Sequence, residues 1–461
     1  MRYNNKISMN NKNAVLLIAT LSSFLAPFIA SSINIALPSI GREFAMDAIL
    51  LSWVPTAYLL AIAVFLVPFG RIADIYGRKK IFTYGILIYT IATILSAIST
   101  SATMLIAFRI LHGIGGAVIF GTGVAILTSV FPVGERGKAL GITVAAVYIG
   151  LSLGPVLGGL LTQHFGWRSI FWASVPLSLI IIAAIFWKLK GEWAEAKGEK
   201  FDLIGSIIYS LALIALIYGL SLLPKISGIW TILIGILGIL AFIWWEKKVK
   251  SPILNIKLFK DNTVFIFSNL AALISYSATF AVAFLLSLYL QYTKGLSPQN
   301  AGLILVSMPV VQAIFSPLAG RLSDRIEPRI LASVGMGLTT IGLVLFTFLD
   351  QNTAIVFILV SLVILGFGFA LFSSPNMNAI MSSVEKRFYG VASATLATVR
   401  SIGMMLSMGI AMVIFAVFIG RIEITPEYYP VFMRSLKIAF IIFATLCFGG
   451  IFISLARGKT R

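Results

Sequence analysis

Three ionisable side chains lie inside long apolar segments of the chain. Arg109 and His112 are three residues apart in LIAFRILHGIGGA, and Arg400 lies in ATVRSIGMM. Residues three apart share one face of a helix, and an arginine in an apolar span costs several kcal/mol unless it faces a cavity or a partner. We therefore expect a functional role for the three, with His112 beside Arg109 as a candidate proton carrier. A structural histidine with satisfied hydrogen bonds is the alternative.

A second chemical feature is the charged segment GRIADIYGRKK, at positions 70–80, which lies between apolar runs 50–69 and 81–99. Its two glycines permit a tight turn, and its acid can cap the next helix or pair with a neighbouring arginine. A weaker copy, GRLSDRIEPRI, occurs at positions 320–330. A cytoplasmic loop that retains positive charge would explain the lysines and arginines. It would not explain why both copies place their glycine, acid and arginine residues in a similar order. The candidate residues are Gly70, Asp74, Gly77, Arg78, Asp324 and Arg325.

The composition decides which elements must position these residues. Of 461 residues, 59% are hydrophobic and 11% are charged, and the mean hydropathy is +1.01. That much apolar surface indicates an all-α polytopic membrane protein. The net charge of +19 would suggest nucleic acid in a soluble domain, but the charges lie between the apolar runs, so no nucleic-acid partner is expected.

The sequence gives no sign of a metal, a cofactor or an enzyme. The single cysteine, Cys447, lies in the last apolar run, which excludes an intramolecular disulfide and a cysteine-rich metal site. No phosphate-binding G-x-x-x-x-G-K-[ST] run is present. No cluster of acids and histidines near the membrane surface suggests catalysis.

We count fourteen apolar runs long enough to span a membrane as helices. Most of the 35 lysines and arginines fall in the N-terminal tail and in alternate loops, which predicts that both termini are cytoplasmic. The two copies of the charged segment each follow the second helix of a six-helix block, which predicts a duplication with two inserted helices, 203–223 and 229–245. Their charged flanks are interpreted as solvated linkers.

The predicted domains follow from this count. They are a cytoplasmic N-terminal tail, a first six-helix bundle, an inserted helix pair with charged cytoplasmic flanks, a second six-helix bundle and a cytoplasmic tail, at positions 1–13, 14–187, 188–262, 263–456 and 457–461.

The order G-x-x-x-D-x-x-G-R-K at positions 70–80 resembles the loop signature of the major facilitator superfamily, and LIAFRILHGIGGA resembles its R-x-x-Q-G motif with His112 in place of Gln. That motif is associated with proton handling, so the resemblance implies that Arg109, His112 and Arg400 are proton-coupling candidates. The resemblance implies the major facilitator fold, with two six-helix bundles plus two inserted transmembrane helices. It also implies that the acid and arginine of each charged copy form a gating lock.

A glycine-rich helix narrows the resemblance. GLSLGPVLGG looks like the antiporter signature of drug exporters, and the whole chain resembles the fourteen-helix drug:proton antiporter branch. Close helix packing explains the glycines alone. The motif residues are Gly150, Gly154, Pro155, Gly158 and Gly159.

One position departs from that branch. Its first helix usually carries an embedded Asp where this chain has Ile29, and no carboxylate replaces it. Neutral or anionic amphiphiles are therefore favoured over dications. Polar residues on the helix stripes could line the substrate cavity or could bond neighbouring helices. They are Ser31, Asn34, Asn269, Tyr276, Thr279, Gln312, Ser316 and Asn376.

The resemblance implies a secondary active transporter of the cell membrane that exports amphipathic drugs or related small molecules. Protons, or sodium, would exchange for the substrate, and the transporter would work by alternating access as a monomer in the lipid bilayer. A facilitator or symporter of a sugar or organic anion on the same fold is the alternative.

Overall fold

The computed structural model describes residues 9–254, 262–385 and 388–458. Most of the predicted N-terminal tail, the end of the inserted segment and most of the C-terminal tail lie outside these residues. Fourteen helices in the described part are long and apolar enough to cross a membrane. The prediction of fourteen membrane-spanning helices is therefore confirmed.

Six helices form the first bundle. They are α1 (Met9–Glu43), α2 (Ala48–Tyr76), α3 (Arg78–Ala97), α4 (Ala102–Val130), α5 (Val133–Phe165) and α6 (Arg168–Lys188). Side chains cap the N-termini of α2 and α4: Asp47 accepts from the N–H of Leu50, and Ser101 accepts from that of Met104. Such caps satisfy N–H groups that have no partner within the helix, so these helices begin where the polar residues fall.

The inserted pair consists of α7 (Leu203–Leu222) and α8 (Ile226–Glu246). The second bundle contains α9 (Thr263–Thr279), α10 (Ala281–Leu288) with a π-helical turn at Tyr289–Thr293, α11 (Pro298–Leu305), α12 (Ser307–Ser323), α13 (Pro328–Phe346), α14 (Ile355–Ser382), α15 (Tyr389–Phe418) and α16 (Tyr429–Ala456). A 3₁₀ turn at Pro426–Tyr428 precedes α16.

The two bundles repeat the same set of packed pairs. In the first, α1 packs on α5, and α4 packs on α2 and α3; in the second, α9 packs on α15, and α14 packs on α12 and α13. The all-helical fold with two six-helix bundles and an inserted pair agrees with the prediction. Helices α2 and α15 contact each other across the two bundles, and α7 packs on both of them.

We call the end of the molecule that carries Gly77 and residues 189–202 the basic face, and the other end the opposite face. The bundles meet toward the opposite face. The hydroxyl of Ser287 donates to the carbonyl of Asn34 at 2.6 Å, and the amide of Gln291 donates to that of Ile35 at 2.8 Å. Contacts between α5 and α11 close the same half.

The bundles diverge toward the basic face. The last described hydrogen bond between α5 and α12 joins Ser316 to Tyr148 at 3.2 Å. Gly141 lies two turns farther along the same face of α5, and a Cβ added there would meet open space. On α12, a Cβ added to Gly320 would meet Ser374, which belongs to the same bundle as Gly320. The seam between the bundles is therefore open at the basic face.

The structure corrects one sequence-based interpretation and extends another. The segment at positions 70–80 is not a loop, because α2 continues to Tyr76, α3 begins at Arg78, and Gly77 alone joins them with a φ of 116°. The flank at residues 189–202 is exposed along most of its length, as a solvated linker would be, but it is also hydrogen-bonded to this corner, which the linker interpretation did not include.

Candidate functional site

A polar cluster lies in the seam where the two bundles meet. We call Tyr148, Tyr276, Ser316, Ser373 and Arg400 the central cluster. Tyr148 comes from α5 of the first bundle, and its hydroxyl accepts from Ser316. The hydroxyl of Tyr276 lies near those of Tyr148 and Ser373. The guanidinium of Arg400 lies 5.4 Å from the ring centroid of Tyr276, within cation–π range.

Arg400 carries a positive charge that no described carboxylate neutralises. Its side chain is half-buried, and its buried Nε has no hydrogen-bond partner among the described residues. A buried donor left without a partner costs about 1–3 kcal/mol. An acceptor atom of a bound molecule would remove that cost, so Arg400 is suited to an anionic or electron-rich group.

Two predicted cavity residues extend the central cluster. Asn269 lies two turns before Tyr276 on α9; its Nδ2 donates to the carbonyl of Phe265, while its Oδ1 is buried without a partner in the described structure. Gln312 lies one turn before Ser316 and is also buried. The cluster and its neighbours therefore offer both a free donor and a free acceptor.

Two other predicted cavity residues, Thr279 and Ser31, have their hydroxyls bonded within their own helices, and a third, Asn34, contacts the second bundle through its backbone. The hydroxyl of Thr279 donates to the carbonyl of Ser275 at 2.8 Å, and that of Ser31 donates to the carbonyl of Pro27 at 2.8 Å. Asn34 is 7% exposed and contributes its carbonyl to the contact with α10. These geometries favour helix packing for Thr279 and Ser31.

Asn376 belongs to a different network, near the basic face. Its Oδ1 accepts from Arg457 at 3.0 Å, and its Nδ2 donates to the carbonyl of Ser268 at 3.1 Å. Arg457 falls in the predicted tail but is fully buried, and burial lowers its pKa to about 10. Asn376 therefore holds α9, α14 and the end of α16 together, one turn of α14 beyond Ser373 of the central cluster.

Arg109 and His112 meet inside the first bundle. An N–H of Arg109 donates to Nδ1 of His112 at 2.7 Å, and Nε2 of His112 lies 3.2 Å from the hydroxyl of Thr93. Arg109 also donates to the carbonyl of Val54 at 3.3 Å and stacks on Tyr58 at 4.3 Å. Both members of the pair are at most 1% exposed.

These contacts fix the state of His112. An arginine cannot accept a proton, so Nδ1 must be the acceptor and Nε2 must carry the hydrogen. A second proton at Nδ1 would break the bond to Arg109 and place two cations side by side. The geometry therefore favours the alternative of a satisfied structural histidine over a proton carrier.

Arg78 is the centre of the predicted gating lock. It forms ion pairs with Asp74 and with Glu195, each at 2.7 Å, and it donates to Ser129 of α4 at 2.6 Å. All these partners belong to the first bundle or to the segment that follows it. The seam is open at the basic face in this state, and no described hydrogen bond joins residues 70–80 to the second bundle.

A glutamate of the flank at residues 189–202 also binds the corner between α2 and α3. Glu192 accepts the backbone N–H groups of Lys79 at 2.8 Å and Lys80 at 3.1 Å, which caps α3 from a distance. A side chain on Gly77 would overlap the carboxylate of Glu192 at 2.5 Å. The weaker copy at residues 320–330 differs from this corner, because Arg325 is exposed and the next helix, α13, begins at Pro328.

The predicted antiporter motif lies at two contact surfaces of α5. A Cβ on Gly150 would lie 2.6 Å from the carbonyl oxygen of Phe24 on α1, and one on Gly158 would lie 2.7 Å from Ser32. A Cβ on Gly159 would lie 2.5 Å from the carbonyl oxygen of Pro298 on α11. Gly154 adjoins Ser31, and Pro155 adjoins Gly302. The motif thus allows close approach both within the first bundle and across the seam.

Sequence reasoning missed Tyr148, Ser373, Glu192 and Glu195. Tyr148 lies two residues before Gly150, so a polar aromatic beside the glycine motif was the available signal. The glutamates gave no local signal, because their partners are more than 100 positions earlier.

Two helical bundles with a polar cluster in a seam that opens at one face define a membrane transport protein. The sequence model of the Major Facilitator Superfamily matches residues 19–408 and 268–460. The chain belongs to this superfamily.

Relatives of known description support the assignment. The chain is 30% identical over 450 residues to the riboflavin transporter RibZ of Clostridioides difficile, covering 97% of this chain and 98% of the relative. It is 31% identical to the multidrug resistance protein Stp of Mycobacterium tuberculosis, covering 86% and 74%. It is 26% identical to the tetracenomycin C resistance and export protein of Streptomyces glaucescens, covering 88% and 76%.

A solved structure agrees in fold. A bacterial homologue of the human lysosomal transporter Spinster superposes with a TM-score of 0.68 at 19% identity, covering 98% of each chain.

Proposed function

We propose that the protein exports neutral or anionic amphipathic small molecules from the cell in exchange for protons, by alternating access. It would reside in the cell membrane with both termini in the cytoplasm, which makes the basic face the cytoplasmic one. The positive charge of the alternate loops supports this orientation. The names of relatives such as Stp and the tetracenomycin C exporter support efflux.

The central cluster carries the proposal. Arg400 presents a cation without a described counter-ion beside the ring of Tyr276, and Asn269 presents a free acceptor. An aromatic, anionic molecule could bond to the guanidinium and stack on the ring, whereas a cation would meet like charge. The missing acid at Ile29 removes the usual partner for a cationic drug.

A proton gradient supplies enough energy for export. One proton that moves inward down 100 mV releases about 2.3 kcal/mol, which corresponds to a concentration ratio of roughly fifty. Substrate that enters from the open basic face would leave after the bundles close there and part at the opposite face. The contacts of Gly159 and Asn34 with the second bundle are those that must break.

Efflux from proteoliposomes tests the proposal. Purified protein is assayed with a panel of anionic, neutral and cationic fluorescent amphiphiles, under pH and sodium gradients applied separately. We expect pH-driven transport of anionic and neutral members, and a loss of about tenfold or more for anions in Arg400→Ala, as for a charge-assisted hydrogen bond. The matched control is Arg434→Ala, which removes an exposed arginine. Preference for cations, or an unaffected Arg400→Ala, would contradict the proposal.

Uptake of a vitamin-like substrate is the second candidate. The relative named as a riboflavin transporter aligns over nearly the full length of both chains, and the paired tyrosines suit a flat ring system. Inward flux of riboflavin in cells under a proton gradient, abolished by a protonophore, would favour this candidate over export.

A further inference from the structure

The inserted helix pair holds two buried carboxyl groups side by side. Asp202 precedes α7 and Glu246 ends α8, and they are 8% and 4% exposed. A methyl group on Gly205 would overlap Oδ2 of Asp202 and would lie 2.9 Å from Oε1 of Glu246. Both carboxyl groups therefore lie against the same point beside Gly205.

One oxygen of this pair has no donor. Oε1 of Glu246 is buried without a hydrogen-bond partner in the described part of the chain, while Oε2 accepts the N–H of Leu254 at 3.0 Å. Two ionised carboxylates would repel each other here, and neither could donate to the other. A single proton between them would remove the repulsion and give Oε1 its partner.

The hydrogen bonds show which group carries that proton. Asp202 accepts the N–H of Gly205 at 2.9 Å and Nε1–H of Trp245 at 3.0 Å, which stabilise an ionised carboxylate. On Glu246, the backbone N–H groups of Leu254 and Ile253 face the carboxyl group, and Leu254 bonds to Oε2, but Oε1 has no partner in the described part of the chain. The proton therefore belongs on Oε1 of Glu246, from which it is donated to Asp202.

The surrounding charges do not replace this proton. Neither carboxyl group forms a salt bridge among the described residues, and Lys248 lies 3.5 Å from the ring centroid of Trp244. On the neighbouring α2, Arg71 pairs with Glu199, and on α15 Arg400 faces Tyr276. The other charged residues adjacent in the chain are exposed: Lys197, Lys200, Lys247 and Lys250.

We propose that Asp202 and Glu246 form a proton-binding site that fastens the inserted pair. The proton is taken from and returned to water at the basic face, and the charge of the pair changes from −1 to −2 when it leaves. Glu246 holds Leu254, and Leu254 packs with Tyr209 and Met405 where α7 meets α2 and α15. Loss of the proton would loosen residues 247–254 and the contact of α7 with both bundles.

Infrared spectroscopy of the full-length protein, reconstituted in sodium-free potassium buffer, tests the site directly. At neutral pH we expect a carboxylic-acid C=O band that disappears in one step on alkaline titration. Glu246→Gln, an isostere of the protonated acid, should lack the band, and the exposed-carboxyl control Glu427→Gln should retain it. In Asp202→Asn the band should shift, because its partner has changed.

Hydrogen–deuterium exchange of residues 247–254 gives the second readout. After correction for the intrinsic pH dependence of exchange, alkaline pH should reduce protection about tenfold or more in the wild type and Glu427→Gln, as one like-charge repulsion predicts. Glu246→Gln should change less than twofold.

An unchanged acid band in Glu246→Gln would overturn the proposal, as would a wild-type protein with no titrating band. Loss of the band on addition of sodium at neutral pH would instead identify a cation site and would also overturn it. None of these measurements depends on the transported molecule, so a failure here is distinct from a failure of the export proposal.

Discussion

Replacement of Arg78 by glutamine should open the corner between α2 and α3. The side chain is 7% exposed and holds four partners: Asp74, Glu195, Ser129 and the carbonyl of Ala125. Its loss leaves two carboxylates and two α4 acceptors without their cation. We therefore expect local unfolding of the corner and release of the flank at residues 189–202.

The magnitude follows from the exposure of each partner. Glu195 is 66% exposed, so its ion pair contributes at most about 1 kcal/mol, and the pair with Asp74 contributes a similar amount. The bonds to Ser129 and to the carbonyl of Ala125 contribute about 1 kcal/mol together, because the second is long at 3.3 Å. The total of about 3 kcal/mol corresponds to an increase in opening on the order of a hundredfold.

Amide hydrogen exchange in residues 77–82 and 190–196 measures this opening. Arg325→Gln is the matched control, since Arg325 has the corresponding position in the weaker copy and is exposed. Its exchange should rise less than threefold at residues 320–330. If Arg78→Gln and Arg325→Gln had equal effects, the assignment of Arg78 as the organising residue of the corner would be refuted.

Three further predictions concern the seam, the buried histidine and one surface turn. Gly159→Leu should reduce transport at least about tenfold, because its Cβ would lie 2.5 Å from the carbonyl of Pro298, whereas Gly449→Leu, on the exposed side of α16 away from the seam, meets open space and should transport normally in the same proteoliposome assay. His112→Gln should retain at least half of the pH-driven flux, because an amide can accept from Arg109 and donate to Thr93; complete loss would show that the imidazole titrates. Asp350 accepts from the N–H of Asn352 and from the hydroxyl of Thr353, and these bonds lower its pKa below the ordinary 3.8. The ionised carboxylate should therefore hold the turn above its lowered pKa, and the turn should loosen as the pH falls through that value. Amide hydrogen exchange at residues 349–353 measures this loosening. An Asp350→Asn protein with unchanged protection would argue against it.

Hydropathy and motif order were sufficient to predict the architecture. A bilayer requires long apolar helices whose backbone groups are satisfied internally, so the fourteen spans could be counted directly. The repeated order around Asp74 and Asp324 located the two bundles. The buried position of Arg109 and its contact with His112 also followed, because helical spacing is local.

The partners of these residues could not be predicted in the same way. Tyr148 reaches Ser316 only because two bundles meet at the seam, and Glu192 caps α3 from more than 100 positions later. Such pairs depend on the arrangement of packed helices, not on any local period. The burial of Arg457 could not be predicted either, because it depends on hydrogen bonds to Asn376 and Ser454 that only the packed helices provide.

The way α7 is attached constrains how the two halves can move. The hydroxyl of Tyr209 donates to the carbonyl of Ala63 on α2 at 2.8 Å, and residues 189–202 bind the α2–α3 corner. Toward α15, the described contacts of α7 are apolar, such as that of Leu220 with Gly409. A shear of α15 along α7 would therefore break no described hydrogen bond, so if the bundles move as proposed, we expect the inserted pair to stay with the first bundle.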